Sequence, residues 1–210
     1  MNLHQLYMGK RQLSTNFAKH TSKNPIQKAL IRNFYSKFFS LIKPIKPESI
    51  LDVGCGEGFS LIQLKQKGVG KKLEGVEYSK TAIALGKKVD PKLIIKFGTV
   101  YDLPYKNNSF DLILCTEVLE HLDDPGKALS EILRVSKRHI LFSVPNEPFF
   151  MLSNLLRGKN LKRFGNDEGH INHFTIYSLQ KLLKRNGYKI KKLKLPFPWI
   201  MILAEKKIKS

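Results

Sequence analysis

Apolar positions along the chain change their spacing at intervals, and each change marks an element. From Asn24, a side chain able to cap a helix, with Pro25 at the first helical position, the residues Ile26, Ala29, Leu30, Phe34, Phe38 and Leu41 recur at helical spacing until Pro44. This predicts an amphipathic helix, packed on a sheet edge or, given Tyr35, Phe39 and the interspersed lysines, lying on a membrane surface. At Ile50 the spacing shortens. Ile50, Leu51 and Val53 read as a buried strand, glycines 54, 56 and 58 close it in a tight turn, and residues 59–67 continue as a helix. The rhythm repeats, with strands predicted at 72–77, 93–97, 110–116 and 139–144 and helices at 79–88 and 124–135. Strand and helix in alternation mean a parallel sheet with right-handed crossovers and helices on both faces. Residues 145–172 break the rhythm and read as an insertion or lid. A helix at 175–186, closed by Gly187, and a terminal hairpin of strands 188–195 and 199–205 around Pro196 and Pro198 complete the pattern. Residues 1–23, polar and basic without sustained periodicity, read as a flexible arm before a single domain at 24–210.

Composition sharpens this picture in two places. A length of 210 residues, 42% of them hydrophobic, suits one α/β domain with a full core. No run of about 18 uncharged apolar residues occurs, and the start MNLHQLYMGKRQ lacks a secretory apolar run, so a cytoplasmic protein is expected, with peripheral contact to an anionic membrane left open. Cys55 and Cys115 are too isolated for a zinc site of the C-x-x-C kind and read as reduced, semi-buried residues. The charge says more: 37 Lys and Arg against 17 Asp and Glu give +20. Nucleic acid, an anionic membrane or an acidic substrate would be attracted, although lysines scattered through every segment equally suit a solvated surface. Twelve of the 17 acids fall between Asp52 and Glu131. Acidic side chains are thus concentrated around the glycine turn and the strand ends after it.

In open parallel sheets ligands sit beyond the C-terminal strand ends, so those ends carry the candidate chemistry. The glycine turn runs G-x-G-x-G with Phe59 where a dinucleotide fingerprint needs its third glycine, and no phosphate loop of the G-x-x-x-x-G-K-[ST] type occurs. Free N–H groups in such a turn, together with the following helix dipole, would favour an anionic group such as a carboxylate or phosphate. The run Asp52-Val53-Gly54-Cys55-Gly56-Glu57-Gly58 closely resembles the first motif of class I S-adenosylmethionine-dependent methyltransferases. The resemblance covers Ser49 to Glu205. It implies a Rossmann-like α/β fold with a seven-stranded, mostly parallel sheet whose last strand is antiparallel. It also implies that Gly54, Gly56 and Gly58 hold the methionine end of the cofactor, that Asp52 orients its amine, and that Glu77 accepts from both ribose hydroxyls. Asp102 would accept from the adenine amino group, with Tyr101 and Leu103 bracketing the ring. Tyr78, Thr116 and Glu117 are further candidate cofactor-binding positions.

The stretch Cys115-Thr116-Glu117-Val118-Leu119-Glu120-His121-Leu122 resembles the fourth motif of small-molecule O-methyltransferases, ubiquinone-biosynthesis enzymes among them. If Glu117 starts a helical turn, Glu117, Glu120 and His121 share a face at i, i+3 and i+4 and could hold a divalent cation. Small-RNA 2′-O-methyltransferases and some ubiquinone-type enzymes resemble this pattern and recruit Mg2+ through it with a later histidine, here matched best by His173. The Glu-Trp expected after that histidine is replaced by Phe174-Thr175, and a long RNA-binding extension is missing, which demotes RNA. His121, His170 and His173 are alternatively the candidate bases, or packing residues. The expected activity is methyl transfer from S-adenosylmethionine to an oxygen of a small-molecule acceptor, with RNA methylation or an inactive cofactor-binding scaffold as alternatives. No motif decodes the acceptor or the oligomeric state.

Overall fold

The computed structural model describes residues 13–207 apart from Lys159 and Glu168. In chain order the elements are α1 (Leu13–Thr21), α2 (Pro25–Ile42), β1 (Ser49–Val53), α3 (Phe59–Gln66), β2 (Lys72–Glu77), α4 (Lys80–Val89), β3 (Ile95–Phe97) and β4 (Phe110–Thr116). They continue with α5 (Pro125–Val135), β5 (Ser136–Pro145), α6 (Phe149–Leu156), α7 (Ile176–Arg185), β6 (Tyr188–Lys194) and β7 (Trp199–Lys206). The seven strands form one sheet in the order β3-β2-β1-β4-β5-β7-β6. Every neighbouring pair among β1 to β5 is parallel, whereas β7 runs antiparallel to both β5 and β6. This is the expected class I architecture, with the order reversing at β1 and β4.

Alternation along the central strands explains why helices cover both faces. Ile113 and Cys115 of β4 point into one core with Leu51, Val53, Phe142 and Ile202, while Leu112 and Leu114 point into the other with Ile50, Leu141 and Met201. Strands buried on both sides read as near-continuous apolar runs. Helix α2 starts where the sequence predicts, since Asn24 Oδ1 accepts from the N–H groups of Ile26 (2.9 Å) and Gln27 (3.3 Å). It buries Phe34, Tyr35, Phe38, Leu41 and Ile42 against the second core. The T-shaped contact of Phe34 with Trp199 (5.3 Å between centroids) anchors it near β7, so it covers the sheet's face and not its edge. Burying Phe38 and Leu41 completely contributes roughly 1.5–3 kcal/mol each.

Two expectations shift, and a third gains detail. The arm at 1–23 contains α1, which packs on the domain; residues 1–12 of that arm lie outside the described residues. Strand β5 begins at Ser136, earlier than expected, because α5 runs straight into it and Ser136 pairs with Phe110 before a bulge. The segment 145–172 carries α6 and a short helical turn at Leu161–Arg163, as an insertion between β5 and α7.

Candidate active site

The glycine turn is built so that side chains are excluded from it. Gly54, Gly56 and Gly58 all have positive φ (70°, 55° and 78°), a region costly for residues with a Cβ. Neighbouring glycines extend the tight packing: a Cβ on Gly75 would stand 2.5 Å from Cys55 Sγ, and one on Gly86 of α4 would collide with the Glu57 carbonyl. The glycine amides of the turn have partners within the protein. Gly54 N–H donates to Val76 O (2.8 Å), Gly58 N–H to Cys55 O (2.9 Å) and Gly56 N–H to Glu77 Oε2 (2.8 Å). The three glycine N–H groups are therefore removed from the free N–H groups expected to favour an anion.

What surrounds the turn is acid. Asp52 is 2% exposed and its Oδ1 has no hydrogen-bond partner among the described residues; burial, reinforced by the Glu77 charge, pushes its pKa up to about 8. Glu57, equally buried, is also raised by burial, and it accepts from Asn16 Nδ2 (2.6 Å) of α1. Glu77 braces the turn, because Ser79 N–H donates to its Oε1 (2.8 Å) while Gly56 takes Oε2; each oxygen keeps a lone pair for a hydroxyl. An orphaned buried carboxyl beside a second acid is stabilised by a cation. The cradle therefore fits the ammonium and sulfonium charges of S-adenosylmethionine.

The loop after β3 holds the next candidates. Thr99 and Asp102 form an isolated bridge, Asp102 is exposed, and the half-buried Tyr101 accepts through its hydroxyl from Asp124 N–H (3.3 Å). Leu103 does not present a face to a ring: it is 2% exposed in the first core, its N–H held by Glu131 Oε2 (2.9 Å) and its carbonyl by Arg134 (3.0 Å). Sequence reasoning missed this Glu131–Arg134 clamp, whose only signal is an acid and a base three residues apart on α5. Tyr78 is 73% exposed and stacks on Phe97 (5.8 Å).

Beyond β4 the chain departs from the expected helical turn. Glu117 has φ +58°, so it cannot share a helical face with Glu120 and His121, which lie in a separate short turn at Leu119–His121. Its N–H donates to Ser143 O (2.8 Å), and its carboxylate accepts from Ser143 Oγ and Trp199 Nε1. The lid is stitched to the turn. Ile171 and Asn172 N–H groups donate to Glu120 O (2.9 and 3.0 Å), and Asn172 Nδ2 donates to Leu122 O (2.7 Å). This stitching brings His170, not His173, against His121, with ring centroids 5.1 Å apart. The ligand-type atoms of Glu120, His121 and His170 lie within 4.8 Å of one another.

The expected magnesium set of Glu117, Glu120, His121 and His173 is thus corrected. Glu117 is engaged by Ser143 and Trp199, and His173 is not among the residues whose ligand-type atoms converge. One carboxyl and two imidazoles do not suit magnesium, which takes oxygen ligands in octahedral geometry.

The electrostatics of this pocket favour neutral groups. Glu120 is 1% exposed with neither carboxyl oxygen hydrogen-bonded among the described residues, and burial, then the Glu117 charge, raises its pKa well above the carboxylate range. Burial lowers His170 to about 4 and lowers His121 as well. A neutral His121 has one ring N–H; Nδ1 lies 2.6 Å from Gly169 O, an acceptor only, so the proton sits on Nδ1. Its Nε2 lone pair is left as the basic atom.

Helix α1, unread in the sequence, closes the site from above. His20 stacks on Phe59 (4.2 Å, 9°), Phe17 lies 5.9 Å from the same ring, and Lys19 is close enough for its charge to offset part of the rise at Glu117.

Comparison with known proteins agrees with this architecture. Residues 25–193 match the family described as Methyltransferase domain. Norajmaline N-methyltransferase from Rauvolfia serpentina is 32% identical over 114 residues, which cover 51% of this chain and 36% of that one. The chain spans 33–52% of the length of that enzyme and three other curated relatives. Demethylmenaquinone methyltransferase from Lactobacillus johnsonii is 26% identical over 94% of this chain and 93% of its own. The crystal structure of magnesium protoporphyrin IX methyltransferase from Synechocystis PCC 6803 with bound SAH shares the fold, with a TM-score of 0.67 at 16% identity, covering 92% of this chain and 95% of that one. A cation-fitting glycine turn at the reversal point of this sheet and a family match over most of the domain lead to one conclusion: the chain belongs to the class I S-adenosylmethionine-dependent methyltransferases.

Proposed function

We propose that the protein transfers a methyl group from S-adenosylmethionine to an oxygen of a small molecule, with His121 as the base. The observation that carries this reading is the fixed tautomer of His121, whose Nδ1–H is held by Gly169 and whose Nε2 is left as an acceptor beside His170 and a neutral Glu120. The cofactor supplies an electrophilic methyl on a cationic sulfur. His121 would take the proton that an acceptor hydroxyl loses, while the lid and α1 exclude water and hold the acceptor in line. Burial keeps His170 neutral, so it does not repel a proton arriving on its neighbour. The names of the relatives support a small-molecule acceptor. Labelled cofactor offered with separate pools of hydroxylated aromatics, amines and RNA tests the reading. Label should enter the first pool; label only in amines or RNA would sink the oxygen assignment.

Two further results are expected. Because a cationic ligand favours ionised Asp52, and Asp52 titrates at about 8 without one, cofactor affinity should rise with pH and level off above that value. The rise is at most about tenfold per pH unit; calorimetry with S-adenosylmethionine from about pH 6 to 9 reads it. A flat profile would remove Asp52 from the cation's surroundings. Because the expected magnesium ligands do not converge, turnover should survive excess chelator, and loss of activity restored by added Mg2+ would reverse that correction.

A further inference from the structure

Helix α6 is inverted with respect to water. Its buried face carries Phe150 with the polar Ser153 and Asn154, whereas Phe149 (52% exposed), Leu152 (52%) and Leu156 (80%) face outward. Those three stand at i, i+3 and i+7, one stripe of the helix. The orientation is locked from inside: Asn154 Nδ2 donates to Gly165 O (2.8 Å) and Arg157 to Asn154 Oδ1 (2.7 Å), so rotating α6 to bury its leucines would break a buried hydrogen bond. The turn that follows adds Leu161 (62%) and Phe164 (77%). Arg157 also donates to Gln27 Oε1 (3.3 Å), which brings Ile26 (64%), at the start of α2, alongside.

The segments that carry this apolar face are basic, and the acids Glu48, Glu147, Asp167 and Glu168 stand only at their borders. Residues 148–166 contain four Lys and Arg and no Asp or Glu, and the described residues 13–47 contain seven Lys and Arg and no Asp or Glu. The two acid-free segments meet at the Gln27–Arg157 hydrogen bond. Exposed leucines at the centre of a cation-rich surface give nothing to a phosphate backbone or a base, but they can enter acyl chains while the surrounding cations meet anionic headgroups. None of the described helices is long and apolar enough to cross a membrane.

We propose that the outer face of α6, the turn at Leu161–Arg163 with Phe164, and the first turn of α2 form a docking surface for an anionic lipid bilayer. The inner face of the same helix places Phe150 5.2 Å from His170, so docking sets the candidate active site directly beneath the interface. The surface is independent of the reaction: it requires no turnover, and methyl transfer can hold whether or not docking does.

Co-sedimentation of the full chain with phosphatidylglycerol–phosphatidylcholine vesicles tests it, with pure phosphatidylcholine vesicles and a single-stranded RNA as the other arms. Partition into the anionic vesicles is expected, weakening as salt rises. The double variant Leu152→Ser/Leu156→Ser keeps the charge and should lower the partition by at least about tenfold. Lys162→Glu, a second exposed change, should lower it by several-fold. No partition at low salt, equal partition into neutral vesicles, an unchanged partition in the leucine variant, or RNA binding that exceeds vesicle binding would each overturn the proposal.

Discussion

Gly54→Val is expected to abolish measurable cofactor binding, an affinity loss of at least ~100-fold or about 2.7 kcal/mol. Two effects add at this position. The backbone sits at φ +70°, which costs a residue with a Cβ about 1–2 kcal/mol, and the new Cβ would stand 2.6 Å from Val118 Cγ2. Val118 cannot yield cheaply, because it is packed in the first core and precedes the turn that carries Glu120 and His121. The side chain would therefore disturb the proposed cradle and the turn that carries His121 together. Gly68→Ala is the matching control: φ is +63° there, yet nothing lies within 4 Å of the added Cβ, so it should cost stability alone. Calorimetry with S-adenosylmethionine and thermal unfolding separate the two. Wild-type affinity in Gly54→Val would mean that the turn is not the cradle.

The sheet and the turn were legible because each rests on local pattern. Strands β1, β4, β5 and β7 are buried on both faces, and that leaves apolar runs which no nearby helix imitates. Asn24 and Pro25 mark the start of α2 through one residue's own side chain and its neighbour's ring. At the candidate site, position at a strand end foretold only where Asp52 and Glu77 stand, beside the glycine turn. It failed wherever a distant segment decides. His170 and His173 are three residues apart, and spacing cannot say that Gly169 O and the Asn172 side chain tie the lid to the turn at 119–122 so that His170 is the one facing His121. Glu117 looked helical because its left-handed conformation is imposed by pairing with Ser143 on β5, a tertiary contact. Helix α1 escaped for the same reason, since its partners Glu57 and Phe59 lie some forty residues on. The amides of Gly54 and Gly56 were misjudged because their acceptors, Val76 O and Glu77, belong to the next strand.

His121→Ala should lower turnover by roughly 10²–10⁴-fold while leaving cofactor affinity at the wild-type value. The proposed cofactor cradle comprises the glycine turn, Asp52 and Glu77, none of which the described hydrogen bonds link to His121, so the two readouts separate. Truncation removes the Nε2 lone pair and also the bond to Gly169 O, one of several between turn and lid; the others, from Ile171 and Asn172 to Glu120 and Leu122, remain. The pH profile distinguishes a base from a brace. Burial lowers the His121 pKa, so the free base persists below the 6.5 of ordinary imidazole, and the acid limb of wild-type kcat/KM should fall below that value. Stability moves with the same sign. Both His121 and His170 have folded pKa values depressed by burial, so the stability they allow is full above 6.5 and lost as pH falls from there, toward about 4 for His170. His121→Ala should remove its share of that acid sensitivity along with the acid limb. A variant that keeps wild-type turnover and the wild-type acid limb would return His121 to a packing role and leave the acceptor proton to another group.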